Sequence, residues 1–461
     1  MCVPELEKLL GIEVYATGSP GIGGVIKQDT EDFAVEEVLV DGSKADIDPS
    51  DSVARHDVLG SSDAKNRYLL CVLVKRNWDT LSAVKAVADQ LGISMGRISI
   101  GGLKDARAVT AQYIAIESAS AEDTQKVRVK DLELRPVGYF HSEHSSYYVL
   151  GNSFRVAISA ISHSKDVVKE QITQTIREFE LIGGVPNFFG HQRFGTTRPI
   201  THLVGKAIVK GNFEEAAMLF LAKPSPFEHP SSRLAREQLL TTRDFKQALQ
   251  CFPRQLRYER LMLSRLAEKP DDYAGAFRRL PMKLQKLFVQ ACQSFLLNRF
   301  LSGRIASGVK LNRVEVGDYV VNVEHSGLPM AAMHKTVSAG TLTETNKAID
   351  AGRMRLALPL VGFRQGVSHG NQGDIEKSIL EEEDIRPKDF RVERLPEVSS
   401  RGELRAAVTP LNSFSVEKIS SEVADHARCR VELSFMLYRG SYATMVLREI
   451  MKPRDLVKAG F

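Results

Sequence analysis

Asp105 is a candidate nucleophile because of its neighbours in the stretch GGLKDAR, residues 101–107. Lys104 and Arg107 are positively charged, and nearby cations favour the carboxylate form that a nucleophile needs. Two glycines precede the Lys-Asp pair, so Asp105 can equally be a turn residue whose carboxylate hydrogen-bonds to its own backbone. Taken alone, the pair favours the turn, and a catalytic role needs support from elsewhere in the chain.

A second candidate site is the aromatic stretch NFFGHQRFG, residues 187–195. An aromatic side chain can stack on a base, a cation such as Arg193 can bind a phosphate, and the amide of Asn187 offers hydrogen bonds. The three phenylalanines of the stretch are Phe188, Phe189 and Phe194. They can also be core residues that end the preceding helix, and we expect this of two of the three.

The remaining reactive residue types give weaker signals. Lys27 precedes the segment TEDFAVEEV, where a lysine is usually solvated, and His191 has no partner fixed by the sequence, so we expect it to be exposed. The histidines show no HxH or HxxxH spacing, the five cysteines form no CxxC pair, and the stretch GSPGIGG lacks the Lys-Ser/Thr of a phosphate loop. The sequence therefore predicts neither a metal site nor a nucleotide cofactor.

The composition is that of an ordinary globular protein, with 43% of the 461 residues hydrophobic and 26% charged. This length exceeds what one core usually occupies, so we expect two domains. A net charge of +5 permits a polyanionic partner without requiring one. The N-terminus has acidic residues and no long apolar run, and no stretch approaches a membrane span, so we expect a cytoplasmic protein with reduced cysteines.

The predicted elements place Asp105 directly after a strand. Residues 68–74, YLLCVLV, are typical of a buried strand, and residues 80–92 keep helical spacing. Residues 98–100 begin another strand, and GGLKD follows it, at the kind of position where sheet proteins often carry working side chains. Further strands are predicted at residues 111–116, 153–158, 316–323 and 430–438.

Helical periodicity marks the rest of the chain. Helices are predicted at residues 165–180 and 441–453, and the region 201–301 is almost wholly helical. Residues 40–66, which are rich in Asp and Ser, predict a loop. The pattern indicates a mixed sheet with helices packed on it, followed by a separate helical module.

Five motifs together resemble the tRNA pseudouridine synthase D family in their order and spacing. They are IKQDTEDFAVEE, GLKDARAVTAQ, VPNFFGHQRFG, VQACQSFLLN and GSYATMVLRE. The resemblance implies an α+β fold, in which a mixed-sheet pseudouridine synthase catalytic domain carries a large, mainly helical inserted domain. It assigns residues 1–200 to the first part of the catalytic domain, residues 201–400 to the inserted domain, helical in its first half, and residues 401–461 to the return of the catalytic domain.

The same resemblance implies a reaction and the residues that perform it. The reaction is the isomerisation of uridine to pseudouridine in tRNA, typically at position 13 in the D-arm, without cofactor or metal. Asp105 matches the family's nucleophile, and Lys27 matches the lysine that pairs with it. Phe189 matches the aromatic that stacks on the target base, and Asn187 the neighbouring amide. The cations expected to contact the RNA are Lys104, Arg107 and Arg193.

Two other functions fit some of these residues. A non-catalytic RNA-binding chaperone of the same fold would be favoured by the loss of Asp105 or Phe189, and both are present. A nucleoside or glycoside hydrolase could also use Asp105, but it needs a second positioned carboxylate or an activated water. The candidates for that carboxylate are Glu31, Asp32, Glu36 and Glu37. We expect a tRNA-binding monomer with no membrane partner.

Overall fold

The computed structural model describes residues 2–49, 68–195, 197–422 and 428–461. Most of the loop predicted at residues 40–66 therefore lies outside the described residues. The chain forms two compact units. The large-sheet unit comprises Thr17–Val185 and Thr409–Phe461, and the helical unit comprises Met1–Ala16 and Pro186–Val408.

Both units contain strands and helices. The strands of the described residues are β1 (Val25–Ile26), β2 (Phe33–Leu39), β3 (Tyr68–Arg76), β4 (Ile98–Ile100), β5 (Val109–Glu117), β6 (Leu132–Phe140), β7 (Val149–Ile161), β8 (Val185–Pro186), β9 (Tyr319–Val323), β10 (Pro329–Thr336), β11 (Met354–Leu360), β12 (Glu403–Ala406), β13 (Val408–Thr409), β14 (Asn412–Ser421) and β15 (Cys429–Tyr438). The α-helices are α1 (Glu5–Lys8), α2 (Thr80–Leu91), α3 (Lys165–Ile182), α4 (Thr201–Val209), α5 (Phe213–Ala222), α6 (Pro230–Thr242), α7 (Phe245–Cys251), α8 (Arg257–Glu268), α9 (Tyr273–Arg278), α10 (Met282–Ala306), α11 (Leu342–Asp350), α12 (Gly370–Glu382) and α13 (Ala443–Met451).

The large-sheet unit is built on a mixed sheet. Its described residues form nine strands in the order β14-β15-β7-β2-β5-β3-β6, with β1 beside β7 and β4 beside β5. Strands β2 and β5 run parallel, whereas β2 and β7, like β3 and β5, run antiparallel. The predicted α+β fold with a mixed sheet is confirmed.

Strand β3 is apolar over most of its length because both of its faces are buried. Its alternate residues Leu70, Val72 and Val74 pack into the core on one face of the sheet. The residues between them, Leu69, Cys71 and Leu73, pack on the other face against α2. Side chains alternate between the two faces of a strand, so a strand buried on both sides reads as a continuous apolar run. The strand and helix predicted here are both confirmed.

The helical unit is organised around α10, which begins at Met282 and ends at Ala306. A Cβ atom on Gly205 of α4 would lie only 1.9 Å from the carbonyl oxygen of Phe288 in α10, so only glycine permits this close approach of the two helices. The helices predicted within residues 201–301 are confirmed as α4 to α9 and most of α10. The described residues that follow form a four-stranded sheet in the order β10-β9-β11-β12. No helix within the described ranges has the length and apolarity needed to cross a membrane.

Candidate active site

The backbone around Asp105 is held by buried side chains. Thr80, the first residue of α2, accepts a hydrogen bond from the Lys104 N–H at 2.9 Å. The ammonium of Lys75 on β3 donates to the carbonyl oxygens of Asp105 and Trp78, each at 2.6 Å. Burial lowers the pKa of Lys75 to about 8, against the opposing effect of the Asp105 charge. These contacts fix the backbone that presents the Asp105 carboxylate.

Lys27 pairs with this carboxylate. Its Nζ lies 3.2 Å from Asp105 Oδ1 and 4.3 Å from the centroid of the Phe33 ring. Lys27 is only 9% exposed, so the expectation of a solvated lysine, drawn from its own segment, is wrong. The segment itself could not reveal this, because the carboxylate that pairs with Lys27 is 78 residues away.

The two cations that neighbour Asp105 in sequence have different surroundings. Lys104 is directed into the protein, where its Nζ lies 2.7 Å from Glu37 Oε1 and donates to Asn152 Oδ1 at 2.6 Å. Arg107 is exposed. The cation that contacts the Asp105 carboxylate in space is thus Lys27, and the Lys104 charge is compensated by Glu37.

A second group of predicted site residues lies in the helical unit. Asn298 of α10 clamps the backbone of Phe189: its Oδ1 accepts the Phe189 N–H at 2.8 Å, and its Nδ2 donates to the Phe189 carbonyl oxygen at 3.1 Å. The guanidinium carbon of Arg405 lies 4.1 Å from the centroid of the Phe189 ring, and that of Arg193 lies 5.5 Å from it. Arg193 in turn donates to the hydroxyl of Ser294 on α10 at 3.1 Å. The motif VQACQSFLLN thus supplies a scaffold for the aromatic stretch.

Arg405 on β12 is a site residue that the sequence analysis missed. Its guanidinium donates to Asn187 Oδ1 at 2.6 Å and to the Asn187 carbonyl oxygen at 3.0 Å, and it also lies over Phe189. Asn187 Nδ2 donates to the carbonyl oxygen of Ala406 at 3.0 Å. Arg405 therefore joins the amide and the aromatic of the predicted pocket. No local pattern marks it, because 218 residues separate it from Asn187.

Two expectations for the aromatic stretch are corrected. All three phenylalanines are buried, with exposures of 1% for Phe188, 7% for Phe189 and 0% for Phe194, whereas we expected two core residues. His191 is also buried, at 8% exposure, and the prediction of an exposed histidine is wrong. Its Nε2 lies 3.5 Å from Glu7 Oε1, because residues 1–16 belong to the same unit as this stretch.

The carboxylates considered as partners for Asp105 all have cations beside them. The pairs are Glu31 with Arg76 at 3.9 Å, Asp32 with Arg430 at 2.7 Å, Glu36 with Lys44 at 2.9 Å, and Glu37 with Lys104 at 2.7 Å. Within the described ranges, no three or more His, Cys, Asp or Glu side chains are grouped so that they could hold a metal ion.

Comparisons with known proteins agree with this fold. The family model described as tRNA pseudouridine synthase D (TruD) matches residues 9–450. A probable tRNA pseudouridine synthase D from Methanosarcina acetivorans is 39% identical over 453 residues, which cover 98% of each chain. One from Thermococcus onnurineus is 36% identical over 438 residues, covering 95% of this chain and 97% of the relative.

A solved structure is similar over almost the whole length. The crystal structure of the putative tRNA pseudouridine synthase D from Methanosarcina mazei has a TM-score of 0.82 and 37% sequence identity, and the match covers 98% of this chain and 99% of that one. Fold and motifs together thus define the chain as a pseudouridine synthase. It belongs to the tRNA pseudouridine synthase D family.

Proposed function

We propose that this protein isomerises uridine to pseudouridine in tRNA, at position 13 of the D-arm, with Asp105 as the nucleophile. The observation that carries the proposal is the ion pair between Lys27 and Asp105, whose N–O distance is 3.2 Å. The backbone that carries Asp105 is held in place by hydrogen bonds to the side chains of Thr80 and Lys75. Membership of the tRNA pseudouridine synthase D family supports the substrate and the reaction type.

The reaction rearranges bonds without a change in oxidation state. The bond between uracil N1 and ribose C1′ breaks, the uracil turns, and C5 bonds to C1′, while C5 loses a proton and N1 gains one. The carboxylate of Asp105 can add to the ribose or to the ring, and either covalent adduct divides one difficult step into two. The target base must first leave the helical stack, as in other enzymes that act on a base.

The aromatic group of the helical unit supplies a means of holding a base. A flat face such as that of Phe189 can bind uracil with about 1–3 kcal/mol of stacking energy, without competing for its hydrogen-bonding groups. Asn187 and Arg405 would hold this ring in place, since Arg405 contacts both. Of the three cations that the resemblance assigns to the RNA, we propose that Arg107 and Arg193 contact tRNA phosphates, whereas the Lys104 side chain is only 6% exposed and pairs with Glu37 instead. We also propose the domain division into residues 1–200, 201–400 and 401–461.

The direct test is incubation of the purified protein with an unmodified tRNA transcript, followed by mapping of pseudouridine. We expect one pseudouridine at position 13, and none in a transcript that carries cytidine there. The reaction should survive EDTA with no added nucleotide, provided that the tRNA stays folded. Release of free uracil would favour the hydrolase, and binding without a product would favour the chaperone.

Size-exclusion chromatography with light scattering checks the expected monomer, and fractionation of the source cells checks the expected cytoplasmic location.

A further inference from the structure

Glu37 is a fully buried carboxylate close to the turn that carries Asp105, which is the segment of residues 101–107 between β4 and β5. It is 0% exposed, and its Oε1 lies 2.7 Å from Lys104 Nζ. Its Oε2 accepts the Tyr113 N–H at 3.0 Å and lies 3.3 Å from His144 Nε2. Burial raises the pKa of Glu37, but the His144 hydrogen bond and the Lys104 charge outweigh this effect and hold the pKa below its usual value. The group is therefore a buried anion with several partners.

The sheet fixes the position of this anion. Strands β2 and β5 pair in parallel as far as Glu36 and Ala111, the last pair of their ladder among the described residues. Beyond that pair, the Tyr113 N–H on β5 donates its hydrogen bond to the Glu37 carboxylate. Where the two strands separate, the carboxylate thus replaces the backbone carbonyl that would otherwise accept this hydrogen bond. A group bound to a strand backbone in this way has little freedom to move.

Lys104 connects the turn to the Glu37 carboxylate. It directly precedes Asp105, and its ammonium lies between Glu37 on β2 and the amide oxygen of Asn152 on β7. Glu37 and Asn152 are directly opposite each other across the two strands. The lysine side chain is only 6% exposed, so its charge is held inside the protein. Any displacement of the residue-104 backbone would strain this buried pair.

His144 makes a second link, between the carboxylate and strand β4, which leads directly into the same turn. Its backbone N–H donates to the Ser99 hydroxyl at 2.9 Å, and its ring contacts Glu37. A Cβ atom on Gly101 would lie 2.7 Å from His144 Nε2 and 2.5 Å from a methyl carbon of Val149, so a side chain at position 101 would displace the turn. Glycine at this position therefore lets the turn lie directly on the anion and its histidine.

We propose that Glu37 is a positioning residue for Asp105. Through Lys104 it anchors the turn from inside the sheet, and the Asp105 carboxylate is thereby kept against Lys27. The proposal rests on the function proposed above, because it assigns Glu37 a role in the same reaction. A displacement of about 1 Å at a reacting group can cost on the order of 100-fold in rate. We therefore expect loss of the anchor to lower the chemical rate and to leave tRNA binding intact.

The test removes both charges of the pair. Replacement of a buried ion pair by uncharged groups of similar size is often close to neutral for stability, whereas removal of one partner leaves an uncompensated charge. The double variant Glu37→Gln with Lys104→Met should therefore fold. We expect its single-turnover rate to fall about 10- to 100-fold, its Kd for tRNA to stay within about 3-fold, and its melting temperature to stay within a few degrees.

Glu36→Gln is the matched control. Glu36 is the same residue type on the same strand, it faces the other side of the sheet, and it pairs with Lys44 at 2.9 Å. Its single-turnover rate should equal that of the wild type. If the double variant also turns over at the wild-type rate per folded molecule, Glu37 has only a structural role and the proposal is wrong. If the wild type itself forms no pseudouridine, the proposed function fails instead.

Asn152→Ala provides a second variant that keeps both charges. It removes the side-chain amide, whose oxygen accepts from Lys104, on a strand that remains paired on both sides. We expect the same separation of effects on a smaller scale, a rate about 3- to 10-fold lower with unchanged tRNA affinity. If the double variant melts below the assay temperature, this variant decides: an unchanged rate would overturn the proposal.

Discussion

Lys27 Nζ lies 3.2 Å from Asp105 Oδ1, although 78 residues separate the two in the chain. The ammonium also lies 4.3 Å from the centroid of the Phe33 ring. The Lys27 side chain is only 10% exposed, and charges interact more strongly where water is excluded. The Lys27 ammonium therefore interacts strongly with any charge that the Asp105 carboxylate gains or loses during a reaction.

Asp105→Asn should abolish pseudouridine formation. The amide keeps the shape of the side chain but loses the nucleophilic carboxylate, so we expect a rate at least about 1000-fold lower and a Kd for tRNA within a few-fold of the wild-type value. Single-turnover assays and filter binding on the same samples check both quantities. Turnover retained by this variant would remove Asp105 from the mechanism.

Lys27→Met should lower the rate without a comparable loss of binding. Methionine keeps most of the side-chain length and removes the charge beside Asp105, and loss of one electrostatic contact at a reacting group typically costs about 100-fold. Lys85→Met is the control, because Lys85 is an exposed residue of α2 in the same unit. Equal rates for the two variants would show that the Lys27 charge takes no part in the reaction.

The sequence predicted best the elements that depend on local pattern. The spacing of apolar residues placed α2, and Asp79 caps its first turn by accepting the Ser82 N–H. Strand β6 was not predicted, because Pro136 and Gly138 interrupt its pattern. It lies at the edge of the sheet, where a missing backbone N–H is tolerated.

Contacts between distant segments could not be predicted in the same way. The sequence placed Lys104 beside Asp105 as a source of positive charge, but the structure pairs its ammonium with Glu37, 67 positions earlier. The expectation of an exposed His191 was wrong because His191 contacts Glu7, a residue far from it in the chain. Contacts between distant segments determine the surroundings of these side chains, and such contacts produce no periodic pattern in the sequence.

Phe189→Ala and Phe188→Ala should separate packing from function. Both rings are buried, so each truncation should cost about 3–5 kcal/mol of stability. If Phe189 stacks on the target uracil, only its variant should also lose single-turnover rate per folded molecule, and Phe189→Tyr or Phe189→Trp should restore part of that rate. Thermal melting and turnover are measured on the same samples. Normal turnover per folded molecule in Phe189→Ala would make Phe189 a core residue alone.

Lys75 should make stability depend on pH in the alkaline range. Its pKa is about 8 in the folded protein and near 10.5 in the unfolded chain, because burial disfavours the ammonium. Between these values the unfolded chain binds more protons than the folded protein, so the contribution of Lys75 to stability rises with pH. The stability of the wild type relative to Lys75→Met should therefore increase from pH 7.5 to pH 10, by at most about 1.4 kcal/mol per pH unit.

Urea unfolding at several pH values measures this difference. Lys85→Met serves again as the control, since an exposed lysine has nearly the same surroundings in both states and should give a constant difference from the wild type up to about pH 10. A neutral Lys75 amine keeps two N–H donors, one for the Asp105 carbonyl and one for that of Trp78, so the turn should stay in place above pH 8. A difference between wild type and Lys75→Met that stays flat with pH would mean that Lys75 is charged in the folded protein throughout this range.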